Sequence, residues 1–443
     1  MPRVVMWSTD PVGKQMAGPG IRYHRLALEL AGRFDVTLVA PGGGIPNTPY
    51  AFRSVESVGS AADLEADVLV AQTLPLGLIR GLRRAGVGLV FDLYAPALVE
   101  APAKLAEDSA AERSRGIRYE EVVAMTRVAL LLGDAFLCAS ERQRDHWLGA
   151  LAALGRLSPQ VYADDPSLGS LVAIVPFGLD PAPAPTVEGP KVKGVVSGIA
   201  PSDRLLLWGG GIWNWFDPLT VIRAVGRLAE TRDDVKLLFL GKTHPSDAVG
   251  AMNMATEAEA LARELGLAGR SVIFNDSWVP YDERLAWFAE ADLGVSAHRD
   301  SLEARLAFRT RLLDHIACGT PLAVTRGDVL ADLVEARGLG RVLAPGDVDG
   351  WVGAVTELLD DEHAYAAART AVVATQEGLS WARSGEALAE LIEQVHAAPR
   401  SQSAKDGVVL RAAATLARAS VGRRGLRATV AAVTRAVSSG DRR

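Results

Sequence analysis

Short apolar runs alternate with amphipathic stretches of helical period from the first residues onward, and the whole alternation occurs twice. Runs at 4–7, 36–39, 68–71, 89–93, 135–138 and 171–175 have the length and branched, apolar content of buried strands. Stretches at 21–33, 76–85, 119–132 and 141–154 fall between most of them with the spacing of helices. A strand joined to the next strand through a helix must run parallel to it, and a parallel sheet is covered by helices on both faces. Residues 181–203, PAPAPTVEGPKVKGVVSGIAPSD, are rich in Pro and Gly, lack a periodic apolar face and read as a linker. Beyond them the pattern restarts: LLLW, KLLFLG, SVIF, LGVSA, PLAVT and RVL as strands, with helices at 218–230, 257–265, 282–289, 309–318, 329–337 and 348–359.

The expected fold is therefore α/β, with two doubly wound, Rossmann-like parallel-sheet domains facing a cleft. Residues 1–180 form the first domain, 181–203 the linker and 204–380 the second. Residues 381–400 form a helix that packs back on one of the two, and 401–443 a basic tail. A length of 443 residues is ample for two cores.

Composition narrows the classes. No apolar run reaches the ~20 residues of a membrane span, and PRVVMWSTD reads as a strand, not as a signal peptide, so a cytoplasmic protein is expected. Cys138 and Cys318 sit in apolar contexts; they suggest small buried hydrophobes, neither a disulfide framework nor a zinc site. The net charge of −6 conceals a tail carrying nine basic and two acidic residues, which leaves −13 on the first 400 and argues against nucleic-acid binding by the main fold. Leu426, Val430, Val433 and Val437 recur at helical spacing near Arg423, Arg424 and Arg427. Such a segment either touches an anionic membrane, docks on the acidic body or stays disordered.

In open parallel sheets ligands bind beyond the carboxyl ends of the strands, so the segments just after each strand hold the candidate residues. The first strand is followed by STDPVGKQMAGPGIRYH. Here Gly18 and Gly20 allow close backbone approach, and Arg22 and His24 lie at the start of a helix; a binding loop and a plain helix cap are both compatible with this pattern. FDLYAP places Asp92 and Tyr94 at a strand end, Asp92 being either a base or a turn residue. LLLWGGGIWNWFDP offers Gly209, Gly210 and Gly211 between a strand and a helix begun by Asp217 and Pro218, a sign of close approach to phosphate or sugar. Lys242 in LGKTHP is a phosphate candidate. Trp278 is a candidate neighbour for a base read by the backbone of 276–279, or else a packing residue.

The densest chemistry lies in RDSLEARLAFRTRLLDHIACGTPLAVTRGD, residues 299–328. A helix over 310–318 puts Leu312, Leu313 and Ile316 on one face and Arg311 and Asp314 on the other. Asp314 either pairs with Arg311 or accepts hydrogen bonds from ribose hydroxyls. Arg305 and Arg309 suit a diphosphate because guanidinium presents paired donors. Glu303 suits sugar hydroxyls, and the bland alternative is a solvated loop of weak salt bridges. Asp347 and Asp349 match a metal motif superficially, but their place before an amphipathic helix predicts a cap.

LLDHIACGTPLAVTRGD resembles the helix, ACGTP turn and strand of the retaining family 4 glycosyltransferases, which have the GT-B fold. YDERLAWFAEADLGVSAHRD, PGDVDGWVGAVTELLDD and AGPGIRYHRLALELAGRFDVTLVAPG resemble other segments of that family, about 380 residues in plan. The resemblance implies transfer of a sugar from a nucleoside diphosphate donor, bound mainly by the second domain, to a glycan, lipid-linked or small-molecule acceptor bound mainly by the first. It implies no metal and no further cofactor. The family's ribose-binding glutamate falls on Asp314. Its other glutamate falls on Leu306, with Glu303 as substitute, and its basic pair falls near Gly210 and Trp215 and is missing. Arg305, Arg309 and Arg311 then supply the positive charge, and Asp92, Glu303 and Arg309 form the catalytic set. With retention the leaving phosphate takes the acceptor's proton; with inversion Asp92 or His24 is the base. The competing classes are a sugar-nucleotide epimerase and a non-catalytic nucleotide-sugar-binding protein.

Overall fold

The computed structural model describes residues 1–106, 112–180, 189–241, 252–398 and 413–416. Lys242 and the tail residues 423–437 lie outside them. Two compact units emerge. One comprises Met1–Gly13, Gly18–Pro176 and the final helix after Trp381; the other comprises Lys14–Ala17 and Phe177–Trp381.

The first unit holds a seven-stranded, wholly parallel sheet among the described residues. Its strands are β1 (Arg3–Trp7), β2 (Asp35–Ala40), β3 (Ala51–Ser54), β4 (Val68–Ala71), β5 (Gly88–Asp92), β6 (Ala135–Cys138) and β7 (Val172–Ile174), in the order β3-β2-β1-β4-β5-β6-β7. Sequence patterning misses β3 because this edge strand, AFRS, is only half buried and carries no apolar run. The central strands β4, β5 and β6 are buried throughout, as expected where helices cover both faces.

The second unit repeats the plan with β8 (Arg204–Trp208), β9 (Val235–Phe239), β10 (Val272–Phe274), β11 (Leu293–Ser296), β12 (Leu322–Thr325) and β13 (Gly340–Leu343), ordered β10-β9-β8-β11-β12-β13. All are parallel. The expected helix 329–337 is found at Val329–Arg337, capped by Asp328, and Asp347 caps the helix Val348–Asp360 through the Gly350 amide. A helix at Glu362–Thr375 follows that the apolar pattern does not announce.

Three expectations are corrected. Gly18 and Gly20 belong to the helix Gly18–Leu30 itself and not to a loop before it. Residues 189–203, expected as free linker, pack on the second unit: Val192 and Ile199 are buried, and the amides of Val192 and Lys193 donate to Glu290 at 3.0 and 2.8 Å. Residues 302–306, expected as loop, form a short helix capped by Ser301. The helix Trp381–Ala397 returns to the first unit, where Arg33 binds Glu393 through two bonds of 2.7 Å and Glu386 at 2.8 Å. Among the described residues no helix is long and apolar enough to cross a membrane.

Candidate functional site

In the second unit the strand order reverses between β8 and β11, so the crevice beyond their carboxyl ends is where a ligand is expected. The two loops that leave these strands are stitched together. Asp217 N donates to Ala297 O at 2.9 Å, Phe216 and His298 form an isolated antiparallel bridge, and Asp217 caps the next helix through Thr220 N at 3.1 Å. The three glycines of the first loop have separate physical reasons. A Cβ on Gly209 would lie 2.5 Å from Phe288 Cζ, so close packing excludes a side chain there. Gly210 has φ +75° and would point a Cβ into open space. Gly211 offers its carbonyl to Arg311 Nη2 at 2.9 Å.

Beneath this loop lies a buried charge cluster. Arg309 donates to both oxygens of Glu303, at 2.9 and 2.7 Å, and its Nε lies 3.9 Å from Asp328 Oδ2. Asp328 also accepts from Leu330 N and Ala331 N and lies 3.4 Å from His298 Nε2. Glu303 and Arg309 are thus brought together as one internal pair. The carboxylate expected to face sugar hydroxyls is buried, because the helix 302–306 turns it inward.

Arg311 is arranged differently. Its guanidinium carbon lies 4.1 Å from the Phe216 ring centroid, on the aromatic ring that Arg309 also approaches at 4.7 Å. Arg311 Nη1 is buried and has no hydrogen-bond partner among the described residues. Burial, then the neighbouring Arg309, pushes the Arg311 guanidinium down to about 9. Arg305, by contrast, is exposed on its helix.

Asp314 and the loop after β10 complete this side. Arg284 reaches both Asp314 oxygens, at 3.3 and 3.2 Å, and also bonds Asp180. Burial pushes the Asp314 carboxyl up while Arg284 opposes the shift. Trp278 lies with its ring against Gly241 and donates from Nε1 to Met16 O at 3.2 Å, so it is a packed residue with one edge committed. Trp213 and Trp215 stack in parallel at 5.3 Å and are partly buried against the core, whereas Trp208 is wholly buried.

The first unit treats its candidates as structure. Arg22 and Asp92 form a fully buried pair at 2.7 and 3.2 Å, and Arg22 Nη2 donates to Val175 O at 2.8 Å. Tyr94 lies under the same guanidinium, 5.1 Å from its ring centroid. His24 Nδ1 is 2.6 Å from Tyr50 OH, and both residues are buried. Asp92, read from the sequence as either a base or a turn residue, is engaged on both oxygens by Arg22. Arg284, Asp180 and His298 escape sequence reading because each looks like an isolated polar residue until the fold supplies its partner.

Residues 203–361 match the family described as "Glycosyl transferases group 1". The matched residues make up most of the second unit. Over 221 residues the chain is 28% identical to a D-inositol 3-phosphate glycosyltransferase of Thermobispora bispora, covering 48% of each. The alignment thus spans about half the length of that curated relative. Among solved structures, WaaG, a glycosyltransferase involved in lipopolysaccharide biosynthesis, superposes with TM-score 0.62 at 18% identity over 88% of this chain and 99% of its own. Anabaena HepE in complex with UDP and glucose gives 0.62 at 13% over 89% and 100%. An Escherichia coli protein described as "Trehalose-6-phosphate", bound with UDP-2-fluoro glucose, gives 0.60 at 12% over 90% and 100%. These likenesses establish the GT-B fold, in agreement with the expectation from the sequence. The loop after β8, GGGIWNWFDP, carries no basic residue, and Arg311 stands beside it.

Proposed function

We propose that the chain is a glycosyltransferase that moves a sugar from a nucleoside diphosphate donor, held by the second unit, to a glycan, lipid-linked or small-molecule acceptor. The observation that carries this reading is Arg311: a half-buried side chain whose Nη1 is buried and, among the described residues, unpartnered, beside the glycine loop at the sheet's switch point. Solved structures of the same fold hold UDP and UDP-glucose, which supports a diphosphate as the anion. Arg311 would stabilise the charge that grows on the departing diphosphate, the largest charge change in the reaction. Asp92 and Glu303 are both engaged in internal pairs, which suits retention: the leaving phosphate takes the acceptor proton, without a protein base or a metal. The basic tail would hold the protein against an anionic membrane when the acceptor is lipid-linked; unchanged liposome binding after removal of residues 401–443 would sink that part.

The same internal pairing favours a second reading, a protein that binds nucleotide sugars without turning them over. Arg311→Met separates the outcomes. Removing this half-buried charge should leave the thermal midpoint little changed while weakening UDP, GDP or ADP binding about tenfold or more. Wild-type transfer from a nucleotide sugar supports the enzyme, and binding without transfer supports the second reading. Binding that is indifferent to Arg311→Met overturns the placement of the site.

A further inference from the structure

The ion-pair network around Asp314 has more organisation than a lone ribose contact requires. Asp180 receives Tyr281 OH at 2.7 Å, Trp381 Nε1 at 3.0 Å and Arg284. Arg284 stacks on the Tyr281 ring at 4.2 Å, donates to Tyr281 O at 2.9 Å and spans both oxygens of Asp314. Side-chain exposure rises along this chain, from 7% at Asp180 through 12% at Arg284 to 21% at Asp314. The buried end is anchored and the open end is a carboxylate. An ionised carboxylate has about four acceptor positions, and Arg284 occupies two of them, one on each oxygen. What remains on Asp314 is a pair of acceptors on two oxygens held in one plane, the complement of a vicinal diol.

We propose that Arg284 is a positioning residue for the donor's ribose: shared between Asp180 and Asp314, it fixes the Asp314 carboxylate so that its remaining acceptors take the 2′- and 3′-hydroxyls. This rests on the proposed function, since it presupposes a nucleoside diphosphate ligand. Arg284 does not itself touch the ligand. Aspartate is one methylene shorter than glutamate, so its reach is set by where Arg284 holds it, and burial alone would favour the protonated carboxyl, a poorer acceptor.

The test is calorimetric titration of the full chain with UDP, GDP, ADP and CDP, followed by the 2′,3′-dideoxy form of whichever binds. Wild type should prefer the ribonucleotide. Arg284→Met should weaken the ribonucleotide about tenfold, the loss of one charge-assisted hydrogen bond, and leave the dideoxy form unchanged. In an Asp314→Ala background Arg284→Met should have no further effect. Arg284→Lys keeps the charge without the fork; it should lower the preference by less and carries the test if the Met variant does not fold. Equal losses for both nucleotide forms, an additive double variant or an unaltered preference in Arg284→Lys would overturn the inference. A wild type that binds both forms equally would also overturn it and leave the proposed function standing. A wild type that binds none of the four diphosphates would remove both.

Discussion

Asp92→Ala distinguishes a buried strut from a catalytic base. The Asp92 side chain is 1% exposed and its partner Arg22 0%. Together with the carbonyls of Val175 and Pro176, accepting at 2.8 and 3.4 Å, the pair joins the helix Gly18–Leu30 to the ends of β5 and β7. Removing one member of such a pair leaves the other charge buried and uncompensated, at a cost of about 3–5 kcal/mol. For domains of this size each kcal/mol moves the midpoint by about 2–4 °C, so the first unit should unfold about 6–20 °C lower. The assay is thermal unfolding followed by circular dichroism, run beside a transfer assay on the same samples at a temperature where the variant is folded. Asp92→Ala combined with Arg22→Leu should recover most of the loss, because replacing both charges by apolar groups is often neutral. A variant that unfolds at the wild-type temperature would refute the strut, and if its transfer rate also fell a hundredfold Asp92 would be the base after all.

Other perturbations address the second unit. His315 is buried against Gly294 and 4.6 Å from Phe288, and burial pushes its imidazole down to about 3 from an ordinary 6.5. Between those values the unfolded chain binds more protons. The stability that neutral His315 contributes is therefore complete above about pH 6.5 and lost towards pH 3, with a slope of up to ~1.4 kcal/mol per pH unit. Urea midpoints measured from pH 7 to 4 should flatten in His315→Leu, and parallel profiles would contradict this. Gly209→Ala forces a methyl onto Phe288 and should cost about 1–3 kcal/mol. Gly210→Ala meets no atom but strains a left-handed φ, about 1–2 kcal/mol, so chemical denaturation should find both variants less stable than wild type. Burial pushes the thiols of Cys138 and Cys318 to about 12. Iodoacetamide at pH 8 should accordingly leave both unlabelled in the native protein and label both in urea; rapid native labelling of Cys318, the less buried of the two, would show that its pocket opens.

How much of this was legible beforehand depends on the distance over which each signal acts. Strands such as Val68–Ala71 and Leu322–Thr325 are buried on both faces, so apolar content alone reveals them, while β3, half buried at an edge, leaves no such trace. Caps are local too: Asp217 and Asp347 serve the helices that follow them, as their spacing requires.

The roles of the charged residues are another matter. In the sequence Glu303, Arg309, Arg311 and Asp314 are four charges within a dozen positions, all plausible as ligand contacts. Only the tertiary structure separates them: Glu303 neutralises Arg309, Arg284, 30 residues earlier in the chain, engages Asp314, and Arg311 is left with a buried nitrogen unfilled among the described residues. The same holds for Arg22 and Asp92, which are 70 positions apart and in contact. The physical reason is range. Helix and strand periods and caps are settled within a few residues, so the sequence by itself determined two parallel sheets and the strand ends to inspect. Whether a charge is internal or available depends on which distant residue the fold brings to it, and that the tertiary structure alone decided.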